Sequence, residues 1–252
     1  MKPYYSQDGI TIFHGDCREV LPHVGLVDFV FTSPPYNCGM DYGTHDDLMP
    51  LHEYWSFFEQ SIHCASTALR LGGYLAVNVP SWIGSRSEQV FAFDEYKAIC
   101  ERSIPFEDVI IWAKSPPNGT AWGNYPTSPR IRANHEWILV HRAAGNGPLG
   151  KSDISWADWS RLTQSIWTIN PELPFSHLHP ATFPQELARR AIMLYSPLGS
   201  VVCDPFMGVG TTLLAARLLG RRGVGIEINE SYCEIAANRL RQGVLFGIEV
   251  SA

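Results

Sequence analysis

The sequence lacks a long hydrophobic run, paired cysteines and an excess of basic charge. No stretch of 18 apolar residues exists, which excludes a membrane-spanning helix. The opening MKPYYSQDGI carries no apolar core, so it does not read as a secretory signal. The six cysteines (Cys17, Cys38, Cys64, Cys100, Cys203 and Cys233) form no C-x-x-C pair and no Cys/His spacing suited to zinc. Several lie in apolar stretches, where a free thiol packs as a small hydrophobe. The expected setting is a reducing cytoplasm, with no metal.

Lys and Arg total 19 against 25 Asp and Glu, a net charge of −6. Taken whole, that argues against a nucleic-acid binder. The charge is segregated, however. Residues 1–111 carry a net −9, residues 112–151 a net +4 and residues 152–252 a net −1. One locally basic segment sits inside an acidic chain.

What is present is a globular composition, 45% hydrophobic and 17% charged over 252 residues. That length suits one large α/β domain or two small ones. Ile10–His14 and Val27–Thr32 read as short strands, the second ended by Pro34-Pro35. Tyr54, Phe57, Phe58, Ile62, Ala65 and Leu69 recur at helical spacing and predict a helix over 50–70, stopped by Gly72-Gly73. Strands are expected at Tyr74–Val79, Val109–Trp112, Glu136–His141, Ser200–Cys203 and Gly223–Ile226. Helices are expected over 90–102, from Pro184 to Tyr195, and over 211–220 and 230–242. This alternation predicts an α/β fold with a doubly wound, mostly parallel sheet. Residues 115–134, rich in Pro, Gly, Ser and Asn, form a long loop. Residues 143–178 have weak periodicity, and Trp156, Trp159 and Trp167 are expected to form their small core.

Two motifs carry chemistry. Asp204-Pro205-Phe206-Met207-Gly208-Val209-Gly210-Thr211-Thr212 lies between a strand and a helix. Glycines there let backbone N–H groups approach a ligand, and the helix start favours an anionic group. Glu227, 23 residues after Asp204, ends the next strand, where a dinucleotide fold places its ribose-binding carboxylate. The third glycine of G-x-G-x-x-G is missing, and no G-K-[ST] follows, so this is no P-loop. The second motif, Thr32-Ser33-Pro34-Pro35-Tyr36-Asn37, ends another strand. Consecutive prolines remove N–H donors. They leave the Ser33 hydroxyl and nearby carbonyls as acceptors, beside the aromatic face of Tyr36. That array suits a planar group bearing an NH₂.

Together the motifs resemble the β-class amino-group DNA methyltransferases, which use S-adenosylmethionine. Ser33-Pro34-Pro35-Tyr36 looks like the catalytic tetrapeptide, and Phe206–Gly210 like the F-x-G-x-G cofactor turn. The catalytic motif comes first, the order of that class. His179-Pro180-Ala181-Thr182-Phe183-Pro184 and Gly15-Asp16 are similar to two further family positions. The resemblance implies a Rossmann-like class I methyltransferase sheet. Residues 1–142 would be its catalytic half, 179–252 its cofactor-binding half, and 143–178 a small inserted target-recognition segment.

The resemblance also implies roles. Asp204 would meet the methionine ammonium, directly or through water. Gly208, Gly210, Thr211 and Thr212 would face its carboxylate, and Glu227 the ribose hydroxyls. Asp16 and Phe206 would meet the adenine; Asp16 equally suits the cap of the helix it precedes. His179, Pro180, Thr182 and Phe183 would line the methionine end. Tyr36 would stack on a target base flipped out of duplex DNA. Lys114, Arg130, Arg132 and Lys151 would neutralise phosphates, with Trp122 and Tyr125 between them. Apart from the resemblance, the two glycines of the Asn37–Asp47 stretch suit a mobile lid. Ser33 at the head of the tetrapeptide favours N4 of cytosine; Asp there usually accompanies N6 of adenine. A neutral hydroxyl both donates and accepts, so adenine stays open. Methylation of RNA or protein amines, a nicotinamide oxidoreductase and a non-catalytic DNA-binding regulator are the competing readings. The expected partner is double-stranded DNA. A homodimer and a companion restriction endonuclease stay open.

Overall fold

In the computed structural model, residues 1–42, 47–84, 89–114, 123–124, 128–129, 133–145, 152–171 and 182–245 are described. Nine strands form the main sheet: β1 (Tyr5–Gln7), β2 (Ile10–His14), β3 (Val27–Thr32), β4 (Leu69–Val79), β5 (Phe106–Ala113), β6 (His135–Arg142), β7 (Ile166–Thr168), β8 (Val201–Asp204) and β9 (Arg222–Glu227). Their spatial order is β1-β2-β9-β8-β3-β4-β6-β5-β7. Strands β2, β9, β8, β3 and β4 run parallel. Strand β6 is antiparallel to both neighbours, while β7 is parallel to β5.

Among the described residues, seven α-helices accompany the sheet: α1 (Cys17–Val20), α2 (Leu51–Thr67), α3 (Phe93–Ser103), α4 (Trp156–Leu162), α5 (Gln185–Tyr195), α6 (Thr211–Leu218) and α7 (Glu230–Leu245). Strand β3 shows why the sheet is covered on both faces. Its period-2 alternation sends Val30 to a core with Tyr54, Phe58 and Ile62 of α2 and Tyr96 and Ile99 of α3. Phe29 and Phe31 go to the opposite core with Leu187, Ala191 and Ile192 of α5. Asp28, the charged residue of β3, accepts from the Val201 N–H (2.7 Å) and pairs with Arg70 (3.3 Å), tying β3 to β8 and β4. A third core joins Ile10 and Ile12 to Leu213 and to Ala236, Ala237 and Leu240 of α7. No described helix is long and apolar enough to cross a membrane. All six cysteines are free thiols.

Two expectations change. The Gly72-Gly73 pair does not stop α2, which ends at Thr67; both glycines lie inside β4. A Cβ at Gly73 would come 2.8 Å from the Asp28 carbonyl oxygen, so the glycine lets the strands approach. Trp156 and Trp159 are not a local core, being 82% and 45% exposed. Only Trp167 is buried, because β7 docks on β5 and carries it into the main sheet's core.

Candidate active site

Chain direction brings the motifs together. Parallel strands β2, β3, β4, β8 and β9 end at one edge of the sheet. Antiparallel β6 begins there, and β5 ends beside it. The sheet's order reverses between β8 and β3, where open α/β sheets form their ligand crevice. A cavity of about 460 Å³ opens there, within the range of cofactor and substrate sites.

The cofactor half is built around the turn after β8. Gly208 (φ 51°) and Gly210 (φ 80°) adopt left-handed conformations, and a Cβ at Gly210 would come 2.9 Å from that of Ala236. Gly208 N–H donates to Glu227 Oε2 (3.0 Å), and Asn229 N–H to Oε1 (2.8 Å). Burial nevertheless pushes the Glu227 carboxyl above its ordinary value. Asp16, Phe57, Thr182, Phe183, Phe206, Gly208, Thr211 and Glu227 line the cavity. Phe206 packs edge-on to Phe57 (5.8 Å) and Phe183 to Phe31 (5.3 Å).

Asp16 takes the expected cap position and also faces the cavity. It lines the cavity, caps α1 by accepting from Arg18 N–H (2.8 Å), and pairs with the Arg18 guanidinium. Asp204 sits behind the turn instead. It accepts from Thr32 Oγ1 (2.8 Å), Thr212 Oγ1 (2.5 Å) and Phe206 N–H (3.1 Å) and is 1% exposed. Burial raises its carboxyl to about 6 despite those bonds. Asp204 and Thr212 therefore brace the turn from within.

The other half holds the tetrapeptide. Ser33, Pro34, Pro35 and Tyr36 all line the cavity. The Pro35 carbonyl is taken by Tyr54 OH (2.9 Å). The expected lid is pinned over its described part. The Asp47 carboxylate accepts from the N–H groups of Asn37 (2.8 Å), Cys38 (3.0 Å) and Met40 (2.9 Å). Asn229 Nδ2 holds the Tyr42 carbonyl (3.0 Å), so the segment reaches the cofactor side.

Sequence reasoning missed three polar or aromatic residues here. Asn78 and Glu136 line the cavity with Trp112, on one face of the sheet. The register shows why: Asn78 pairs with Ile138, two residues from Glu136, which pairs with Trp112. Lys114 lies in the same cavity. It forms an ion pair with Glu136 and sits 4.6 Å over the Trp112 ring, rather than standing free on the surface. Arg130, Arg132, Lys151, His179 and Pro180 lie outside the described residues, as do Trp122 and Tyr125.

A doubly wound, mostly parallel sheet with antiparallel strands at β1 and β6, and a glycine turn opposite an acidic strand end, defines a Rossmann-like methyltransferase fold. The chain belongs to the N6/N4 amino-group DNA methylase family, whose model matches residues 27–238. The chain is 29% identical to the type II methyltransferase M.ScaI of Streptomyces caespitosus, with 95% of this chain and 84% of the relative covered. It is 30% identical to M.Cfr9I of Citrobacter freundii, covering 93% and 88%. Its fold is similar to TTHA0409 of Thermus thermophilus in complex with S-adenosyl-L-methionine, with TM-score 0.74, 28% identity, and 92% and 93% coverage. The PvuII DNA methyltransferase (cytosine-N4-specific) shares the fold at TM-score 0.76 over 94% and 88% of the chains, with 19% identity.

The protein is thus a DNA methyltransferase that uses S-adenosylmethionine. The cavity's donor set fits that cofactor. Carboxylates stand at Glu227 and Asp16, aromatic walls at Phe206 and Phe57, and a helix start at Thr211.

Proposed function

We propose that this enzyme methylates the exocyclic N4 amine of cytosine in double-stranded DNA. The observation that carries the reading is a hydroxyl, Ser33, at the head of the tetrapeptide, within the cavity that the glycine turn shares. An exocyclic amine is a poor nucleophile because its lone pair is delocalised into the ring. Ser33 Oγ and the backbone carbonyl beside it would accept its N–H bonds and aim the lone pair. Pro34 and Pro35 hold that backbone, and Tyr36 closes one wall. Bound S-adenosylmethionine supplies an electrophilic methyl on its sulfonium. The protein's work is then placement, with reacting atoms about 3–3.5 Å apart and in line.

On the cofactor side, Glu227 would accept from the ribose hydroxyls through its remaining lone pairs, and Asp16 and Phe206 would meet the adenine. Gly208, Gly210 and Thr211 would face the methionine carboxylate, with Thr182 and Phe183 beside His179 and Pro180 at that end. Asp204, braced by Thr32 and Thr212, would act on the ammonium through its electric field. Arg130, Arg132 and Lys151 remain the candidates for phosphate contact. The target base must leave the stack to enter the cavity. The relatives' type II names support a role beside a restriction endonuclease.

Incubation with unmethylated DNA, followed by nucleoside mass spectrometry, tests the assignment. N4-methylcytosine is expected; N6-methyladenine would replace cytosine by adenine, and no methylated base would remove the reading.

A further inference from the structure

The Lys114–Glu136 pair is unusual for its place: a charged carboxylate in the wall of a cavity whose reaction involves a neutral amine. Its hydrogen bonds are ordered. Glu136 Oε1 faces Lys114, and Oε2 accepts from Tyr36 OH (3.0 Å) and Asn78 Nδ2 (2.6 Å). Asn78 Nδ2 also donates to Tyr36 OH (2.7 Å). The opposite amide orientation would place an oxygen against the carboxylate, so Asn78 is fixed as donor. Burial and the Glu136 charge hold the Tyr36 phenol well above its usual pKa, so it keeps its proton.

That proton is committed to Glu136. Ser33 Oγ lies 2.7 Å from Tyr36 OH, which has no second proton to give. Ser33 must therefore donate to Tyr36. Asn78 Nδ2 also approaches Ser33 Oγ (3.3 Å), which leaves one lone pair for the cavity that Ser33 lines, and a hydroxyl able to play either role becomes an acceptor.

We propose that Glu136, through Tyr36, sets Ser33 as an acceptor for the substrate amine and receives the proton that the amine loses. The step balances. The nitrogen–methyl bond forms as the sulfur–methyl bond breaks, and the bonding pair stays on sulfur. The amine proton passes to Ser33 Oγ, the Ser33 proton to Tyr36 oxygen, and the Tyr36 proton to Glu136 Oε2. The sulfonium charge and the carboxylate charge disappear together. Ser33 is the residue that touches substrate; Tyr36 and Glu136 act through it. The inference rests on the amine reading but not on which base bears the amine.

The test compares Glu136→Gln, Tyr36→Phe and the double variant in single-turnover methyl transfer, with cofactor and DNA affinities measured separately. General acid–base groups contribute about 10²–10⁴-fold, so each single variant should slow transfer about 100-fold. Affinities should stay within about threefold of wild type. The double variant should be no slower than the slower single, because both cut one chain. Glu136→Asp should recover part of the rate. Three results would each overturn the proposal: unchanged transfer in both single variants, losses that multiply in the double, or losses confined to affinity. Should Glu136→Gln fail to fold, Tyr36→Phe decides by its solvent deuterium effect, expected to shrink from the wild-type value; an unchanged effect refutes the chain. Wild-type enzyme that methylates no DNA amine would instead sink the amine reading itself.

Discussion

Replacing Asp204 by Asn should stabilise the folded protein at pH 8 and do nothing of the kind at pH 4. The carboxyl rises from 3.8 to about 6 on folding, because burial outweighs its bonds from Thr212, Thr32 and Phe206. Two pKa units correspond to about 3 kcal/mol. The folded state binds the proton more tightly than the unfolded chain, so stability contributed at this site falls as pH rises. The penalty is absent below the unfolded value, grows through the window up to about pH 6, and is complete above it. Asn keeps the volume and, with its oxygen still accepting from Thr32 Oγ1 and Phe206 N–H, needs only the Thr212 hydroxyl to turn and accept from its NH₂. The expected gain at pH 8 is therefore about 2–3 kcal/mol after repacking. Urea unfolding of wild type and variant at pH 4 and pH 8, with the difference taken at each pH, isolates this group from other titrations. A variant less stable than wild type at pH 8 by as much as at pH 4 would refute the argument. The cofactor's ammonium should favour the Asp204 anion, so saturating S-adenosylmethionine should shrink the gain.

Other outcomes follow from the same geometry. Glu227→Gln should weaken S-adenosylmethionine binding by about 30-fold or more in calorimetry, the loss of about 2 kcal/mol of charged hydrogen bonding; wild-type affinity should itself fall on acidification, at a pH above the ordinary carboxylate range. Gly210→Ala should cost about 2 kcal/mol in thermal unfolding, since its φ of 80° and the approach to Ala236 both oppose a side chain. Trp167→Ala should cost about 3–5 kcal/mol, whereas Trp156→Ala should change stability by less than about 0.5 kcal/mol. With Lys114 spent on Glu136, about three cations remain for phosphates, so a plot of log affinity against log salt should have a slope near −3.

The sequence made the sheet legible where a strand is bounded by breakers. Ile10–His14 and Val27–Thr32 match their strands, and both chemical motifs fall at strand ends. The start of β4 was hidden because Gly72-Gly73 reads as punctuation, while its purpose is clearance beside Asp28. Glu136 escaped notice for a topological reason. The rule that ligands gather at carboxyl ends of strands points away from it, since antiparallel β6 brings its amino end to the same edge. Asp204 ends β8 beside the turn, and its interior direction depends on Thr32, which is 172 residues away in the chain. Trp156 and Trp159 show the limit of reading aromatics as core: the helix they share turns them to solvent.

Strand β8 enters the sheet between β3 and β9, and this has a consequence in time. While the ribosome is making the chain, the first strands β2, β3 and β4 are complete long before β8 exists. At about 5–20 residues per second, the stretch from Thr32 to Asp204 takes roughly 10–30 s to synthesise. Through that interval the inner edge of β3, one of the most apolar segments of the chain, has no strand to pair with. The enzyme thus emerges with the Ser33–Tyr36 tetrapeptide already made and its central seam open. Only when β8 and the glycine turn after it have been made is that seam sealed and the cavity beside it completed.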